Sequence, residues 1–328
     1  MYERYGSIEY TGGSIEEGGE THFGAFDVLK TRVGRYNNDK YGIPSKILIT
    51  SNPKKNWLKT LFINPYKSGN LKPEYAFIPA FAYQNQFLDK GYIDNLNSIT
   101  DPVTRARLRD GDWDYADDKN QLISFDKIND LFSNEHVKPG EKYITADIAR
   151  FGKDKTVIGY WEGFRLEQII VIDKSSIPEA ARQIRALANI KGVPVSRIIV
   201  DEEGVGGGAK DILNCKGFIS NARAVEVKGK PQNYSNLKAQ VSFMFAEEAL
   251  RAGVYLKTDT EKQKEIIIEE IEQIRSDSVD NDTRLAIISK DKVKESIGRS
   301  PDFSDMIVMR WWFELPVSTV INNWSFNH

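Results

Sequence analysis

The chain has 328 residues, room for about two domains at roughly 150 residues each, and its 40% hydrophobic and 28% charged content is that of an ordinary globular protein. Disorder, collagen and coiled coil are therefore excluded as its main architecture. Forty-five Lys+Arg against 47 Asp+Glu leave a formal charge of −2, so any contact with nucleic acid has to come from local basic patches.

The first fifteen residues mix small, polar and aromatic types without a helix start signal and suggest a strand. Phe23, Phe26, Leu29 and Val33 then fall three, three and four apart, one apolar helix stripe closed by Gly34. Ser45–Thr50 (SKILIT) is a short β-type run ending in a polar Asn-Pro turn. DPVTRARLRDGDW predicts a helix with Asp101 as N-cap and Pro102 at its first position, and Pro139–Gly140 marks the boundary of a new domain. KYITAD, TVIGYW and RLEQIIVID predict an antiparallel meander. A helix follows from Ser176, which stands three residues before Glu179 at capping-box spacing, with Ala180, Ile184, Leu187 and Ala188 on one face. RIIVD is a fourth strand, followed by a glycine-rich loop and a short helix, AKDILN. AVEV is the expected fifth strand, and three further helices run through NLKAQVSFMFAEEALRAG, KEIIIEEIEQI and DMIVMRWWFEL. This order predicts a ribonuclease H-like α/β fold, a mixed sheet flanked by helices.

One cysteine, Cys215, and three histidines, His22, His136 and His328, build neither a disulfide framework nor a Cys/His zinc site. A reducing compartment is the expectation, and metal chemistry has to use carboxylates. Three carboxylates fall at telling places: Asp147 ends the first meander strand, Asp201 ends the fourth strand, and Asp305 opens the last helix. Charges ending apolar strands cost desolvation energy, and clustered anions repel unless a cation joins them. Mg²⁺ or Mn²⁺ suits such oxygen ligands, and a pair of ions about 3.5–4 Å apart supports phosphodiester hydrolysis. Asp302, three residues before Asp305, is the alternative or additional third ligand, Asp154 is a further candidate, and Glu202 and Glu203 are second to Asp201. Each acid alone reads equally as a cap or turn residue.

Gly204-Val-Gly206-Gly-Gly208-Ala209 also fits a dinucleotide-binding G-x-G-x-x-A, with Glu226 about twenty residues on. Three acids just ahead of the loop would repel a pyrophosphate, and the preceding antiparallel meander is the wrong context, so a loop admitting a nucleic-acid backbone is preferred.

Together, ITADIARFGKD, IIVDEEGVGGG, NYSNLKAQ and KESIGRSPDFSDMIVM resemble the nuclease domain of the tailed-phage terminase large subunit, from about Tyr143 to Leu315. The resemblance implies a DNA endonuclease acting on concatemeric double-stranded viral DNA during packaging, with Asp147, Asp201 and Asp305 as catalytic metal ligands. It also implies Mg²⁺ or Mn²⁺ as cofactor, a portal protein and a small terminase subunit as partners, and action in the host cytoplasm rather than in the mature virion. No membrane partner is expected, since no apolar run approaches roughly 18 residues. Upstream, SIEEGGETHFGAFDVLKTR resembles the family's Walker B segment, with Glu16 as the metal-side acid and Glu17 polarising water. ILITSNP resembles its coupling motif, with Thr50 and Asn52, and LRDGDWD resembles a stretch before its linker.

The sequence departs from the family in having no G-x-x-x-x-G-K-[ST] loop. The expectation is therefore a remnant of the packaging ATPase over 1–138, without ATP hydrolysis of its own, and a nuclease domain over 139–328; ATP would serve only an intact motor. Residues 1–60 are expected to pack loosely around an exposed sheet edge. Lys228, Lys230, Lys290, Lys292, Lys294 and Arg299 are candidates for phosphate contacts. The alternatives are another ribonuclease H-like nuclease, such as a junction resolvase or transposase, and an inactive packaging remnant.

Overall fold

The structure, a computed structural model, describes residues 8–115, 120–149, 155–173, 175–202, 206–227, 229–277 and 284–316. It divides into two compact units, residues 1–119 with 260–265 and residues 120–259 with 266–328. The division falls ahead of the expected 138/139 boundary. Ile123, Ile128 and Leu131 are the physical reason, because all three are buried in the core of the second unit.

The first unit contains β1 (Gly13–Ile15), α1 (Phe23–Lys30), α2 (Asn38–Tyr41), β2 (Ile47–Ile49), α3 (Asn64–Lys67), α4 (Lys90–Asn97) and α5 (Pro102–Leu108). β1 and β2 pair in parallel, Ile15 opposite Ile49. Phe26 of α1 stacks on Trp57 with ring centroids 5.2 Å apart, and with Ile15, Leu58, Ile63 and Trp113 they form a small core. One face of this sheet is open at Leu48, which is 65% exposed. Asp101 caps α5 as expected, accepting the Thr104 N–H at 2.6 Å. The GDWD stretch is anchored by Trp113 in that core and by Asp114, which pairs with the buried Lys59 at 3.1 Å.

In the second unit α6 (Phe125–Asp130) precedes β3 (Lys142–Asp147), β4 (Thr156–Glu162) and β5 (Arg165–Ile172), the expected antiparallel meander. Then come α7 (Ile177–Lys191), β6 (Ile198–Asp201), α8 (Gly206–Leu213), β7 (Lys216–Phe218), α9 (Leu237–Leu250), β8 (Tyr255–Leu256), α10 (Glu261–Ile271, of which 266–271 belong to this unit), α11 (Lys290–Ile297) and α12 (Asp302–Val308). The sheet order is β7-β6-β3-β4-β5-β8, with β6 parallel to β3 and to β7. Side chains alternate across it. Ile144, Ala146, Ile158, Ile198 and Val200 face the α7 and α8 layer; Val157, Trp161 and Ile199 face the layer that includes α9 and α12. Ser176 caps α7, accepting the Glu179 N–H. This mixed sheet between helices is the ribonuclease H-like α/β architecture expected. Among the described residues no helix is long and apolar enough to cross a membrane.

The fifth strand is not AVEV but β7, directly after α8. Val225 bonds instead to a side chain: Gln240 accepts its N–H at 2.7 Å and donates to its carbonyl at 2.9 Å, which satisfies the backbone groups a strand neighbour would take. The central residue of β7 is glycine for a steric reason. A Cβ on Gly217 would stand 1.9 Å from the Glu202 carboxylate, which Lys210 holds at 2.6 Å. The glycines 206–208 are not a loop but the first turn of α8. Gly208 lets that helix approach α7, since a Cβ there would lie 3.3 Å from Ile177.

Gln240 is 1% exposed, so Gln240→Leu strands two backbone groups and is expected to lower stability by about 1–3 kcal/mol. Urea denaturation measures this; an unchanged midpoint would refute the bridging role.

Candidate active site

Strand alternation decides where the acids of the sheet point. Ala146 pairs with Val200, so Asp147 and Asp201, each one residue further, end neighbouring parallel strands on the face that α9 and α12 cover. α12 packs across β3 and β4, and its close approach depends on Gly159, where a Cβ would lie 2.3 Å from Met306 Sδ. That approach brings Asp305, in the first turn of α12, to the ends of the strands. Asp305 and Asp201 line one cleft with Ser220 and Lys238.

Two lysines compensate the acids. Lys238 of α9 places Nζ 2.6 Å from Asp305 Oδ1, and Lys290 of α11 places Nζ 2.8 Å from Asp305 Oδ2 and 3.9 Å from Asp147 Oδ2. Burial pushes the Asp147 pKa well above its ordinary value; Lys290 pulls against this, while Asp305, Asp302 and Asp201 push the same way. Burial also acts to raise Asp305, but there the two ammonium groups outweigh it and hold the carboxyl below its ordinary value. Asp302 is not the N-cap of α12 but its first helical residue, buried, and its Oδ2 accepts the Lys155 N–H at 2.9 Å. Asp147, Asp201 and Asp305 thus come together, with Asp302 near enough to act on their charge.

The other candidates are placed differently. Glu202 turns away to Lys210. Asp154, Glu203 and Lys228 lie outside the described residues. Lys290 is committed to the acids and Lys292 pairs with Asp277 at 3.2 Å. Arg299 is not a free phosphate contact: its guanidinium binds Glu269 at 2.5 Å and Glu270 at 2.6 Å. Lys230 is exposed and Lys294 half-buried. For the dinucleotide alternative, Glu226 stands exposed outside any strand, and Gly204 is among the residues not described. In the first unit Glu16 and Glu17 follow β1, and Thr50 and Asn52 follow the parallel β2. The Gly18 N–H bonds to the Thr50 carbonyl at 2.8 Å, so the segments carrying all four leave the same end of the sheet, and all four are exposed.

Lys238 and Glu270 were not singled out by the sequence. Lys238 sits in the NLKAQ stretch and looks like any surface lysine of an amphipathic helix. Glu270, 1% exposed, interrupts the apolar face of α10; burial pushes its pKa up to about 8 although Arg299 and the Ser304 N–H pull it down. That interruption of the stripe was the available signal.

The carboxylates fit a hard divalent cation in chemistry: they are oxygen donors, and Asp305, Asp302 and Asp201 add their repulsion to the burial that raises the Asp147 pKa. Among the described residues, however, no three possible ligands already form a metal cage.

Asp147 binds its proton more tightly folded than unfolded, so its contribution to stability falls as pH rises from its unfolded pKa through its folded one. Asp147→Asn is therefore expected to raise the unfolding midpoint at neutral pH, with the gain shrinking below pH ~4. Asp305 has the opposite sign: its stabilisation is present above its unfolded pKa and is lost as pH falls through its folded one. Asp305→Asn leaves two ammonium groups facing each other and is expected to cost roughly 2 kcal/mol, less than a fully buried pair because Lys290 is 38% exposed. Thermal melts of both variants check the contrast; two shifts of the same sign would contradict it.

No protein-family model and no curated protein matches the sequence. Solved structures do match. The nuclease domain of the large terminase subunit gp2 of bacterial virus Sf6 aligns with a TM-score of 0.51 at 17% identity, over 58% of this chain and 97% of that one. A lysine-to-alanine variant of the same Sf6 domain, with manganese and beta-thujaplicinol, aligns with the same TM-score, identity and coverage. So does that variant with calcium. The aligned 58% of this chain therefore shares the fold of that nuclease domain.

Proposed function

We propose that the chain is a divalent-cation-dependent endonuclease of the terminase type, cutting concatemeric double-stranded viral DNA during genome packaging. The observation that carries this reading is the meeting of Asp147, Asp201 and Asp305 from β3, β6 and α12 under the charge of Lys238 and Lys290. Acids brought together from three elements at the cost of burying Asp147 are a feature of sites that bind cations rather than of structural cores. The manganese and calcium held by structures of the Sf6 domain support the same cofactor class.

In this reading Asp147, Asp201 and Asp305 hold the cation, with Asp302 shaping their charge from behind. A bound divalent pair would supply Lewis acidity that activates water and neutralises charge at the leaving oxygen. Asp147 would bind the cation as the carboxylate, the form that burial disfavours. Lys290 and Lys238 hold Asp305 beforehand, and Lys238, which lines the cleft with Asp201 and Asp305, would be the one to meet a phosphate there. Lys230, Lys292 and Lys294 would add contacts along the DNA backbone. With a net charge of −2, binding to DNA should be weak and salt-sensitive.

The portal protein and small terminase subunit remain the partners this reading implies, with the site of action in the host cell. Glu16, Glu17, Thr50 and Asn52 would be the matching sheet end of the packaging ATPase over 1–138. Without a phosphate-cradling G-x-x-x-x-G-K-[ST] segment in the sequence, this chain is not expected to hydrolyse ATP.

Supercoiled-plasmid nicking with Mn²⁺ tests the proposal. Wild-type protein should nick, and Asp147→Ala and Asp201→Ala should each lose at least a hundredfold in rate, on the order of 3 kcal/mol of transition-state stabilisation. Nicking unaltered in both variants would overturn the site. A preference for branched over linear DNA would point to a resolvase instead.

A further inference from the structure

Resting on the nuclease reading above, we propose that Glu270, braced by Arg299, is a positioning residue that fixes Asp305 for cation binding by holding the start of α12. The helix has no cap of its own: Pro301 occupies the N-cap position and supplies no side-chain acceptor. The acceptor comes from α10. Glu270 Oε2 takes the Ser304 N–H at 2.9 Å, one residue before Asp305. Ser304 Oγ closes the turn by donating to the Pro301 carbonyl at 3.1 Å, and the Asp305 N–H bonds to the same carbonyl at 3.0 Å. Glu270 is thus the outside contact nearest in sequence to the Asp305 backbone.

The other Glu270 oxygen is fixed in turn. Arg299 Nη1 donates to Oε1 at 2.6 Å, while Nη2 reaches Glu269 Oε2 at 2.5 Å and the Ile266 carbonyl at 3.4 Å. Arg299 lies in the short link between α11 and α12, the two helices that carry Lys290 and Asp305. One buried carboxylate on α10 therefore ties down both the link and the helix that follows it. A carboxylate at this place also meets the positive end of α12. Loss of the contact should let the first turn of α12 fray, and Asp305 sits in that turn. Residues that orient ligands from behind typically change metal affinity by about 10–100-fold when removed.

The test is Mn²⁺ binding to the full chain by isothermal titration, with unfolding midpoints recorded in parallel. Glu270→Leu removes both contacts and is expected to weaken Mn²⁺ binding about tenfold or more. Glu270→Gln keeps an oxygen for the Ser304 N–H but turns its NH2 toward Arg299 Nη1, so it loses the brace alone and should fall between wild type and Glu270→Leu, about fivefold weaker, a partial rescue that simple loss of stability does not predict. Should Glu270→Leu not fold, Arg299→Met leaves the Ser304 contact but frees Glu270, and is expected to weaken binding about fivefold. Folded variants that all bind Mn²⁺ as wild type does would overturn the positioning role alone. No Mn²⁺ uptake by the wild-type chain would overturn the nuclease reading and this inference with it.

Discussion

Asp305 sits between two ammonium groups, Lys238 at 2.6 Å and Lys290 at 2.8 Å, and Lys290 leans at 3.9 Å toward the buried Asp147. The acidic end of the sheet depends on this charge exchange. Asp147 ends a strand whose preceding residues are buried, and its ionised form has only a distant share of one lysine to offset its loss of water. Asp305 has two lysines and is held ionised. The asymmetry leaves one acid stabilised and its neighbour strained. Such a centre is poorly made for stability and well made for taking up further positive charge.

α9, α11 and α12 have to arrive together for that exchange to exist, and for α12 and α9 the local details that hold them are plain. Gly159 in β4 admits α12 to the sheet, and Glu270 holds the beginning of that helix. The α9 cap at Asn236, which accepts the Ala239 N–H at 2.8 Å, fixes the first turn where Lys238 stands. The core on this face supplies the packing energy, and the polar groups decide the register within it. The first unit shows the same logic on a smaller scale. A two-stranded parallel sheet brings two loops, one from Glu16 and one from Thr50, to a common end, while an aromatic cluster around Trp57 provides most of its core.

The meander, α7 and the placing of the three acids at element ends were legible in the sequence because their signals are local. KYITAD and TVIGYW are apolar runs bounded by turns, Ser176 and Glu179 stand at capping distance, and an aspartate at the end of an apolar strand is conspicuous. β7 was not legible. A three-residue strand of Lys-Gly-Phe has no periodicity, and the Glu202 carboxylate for which its glycine leaves room comes from the end of another strand. AVEV carried the stronger β signal, yet Gln240 from α9 satisfies Val225 in a way no local pattern announces. Arg299 and Lys290 looked like basic residues available to DNA. Their carboxylate partners sit on other elements, so only the fold reveals that both are engaged.

The central claim is that Asp147, Asp201 and Asp305 form a divalent-cation site whose place in the charge balance is held by lysine. A crystal structure of the chain soaked in Mn²⁺, with data collected for anomalous scattering, tests it most directly. The account predicts an anomalous peak in contact with Asp147 and with Asp201 or Asp305, and Lys290 Nζ withdrawn from its 3.9 Å approach to Asp147. Ordered acids without a peak among them, and Lys290 unmoved at saturating Mn²⁺, would contradict it.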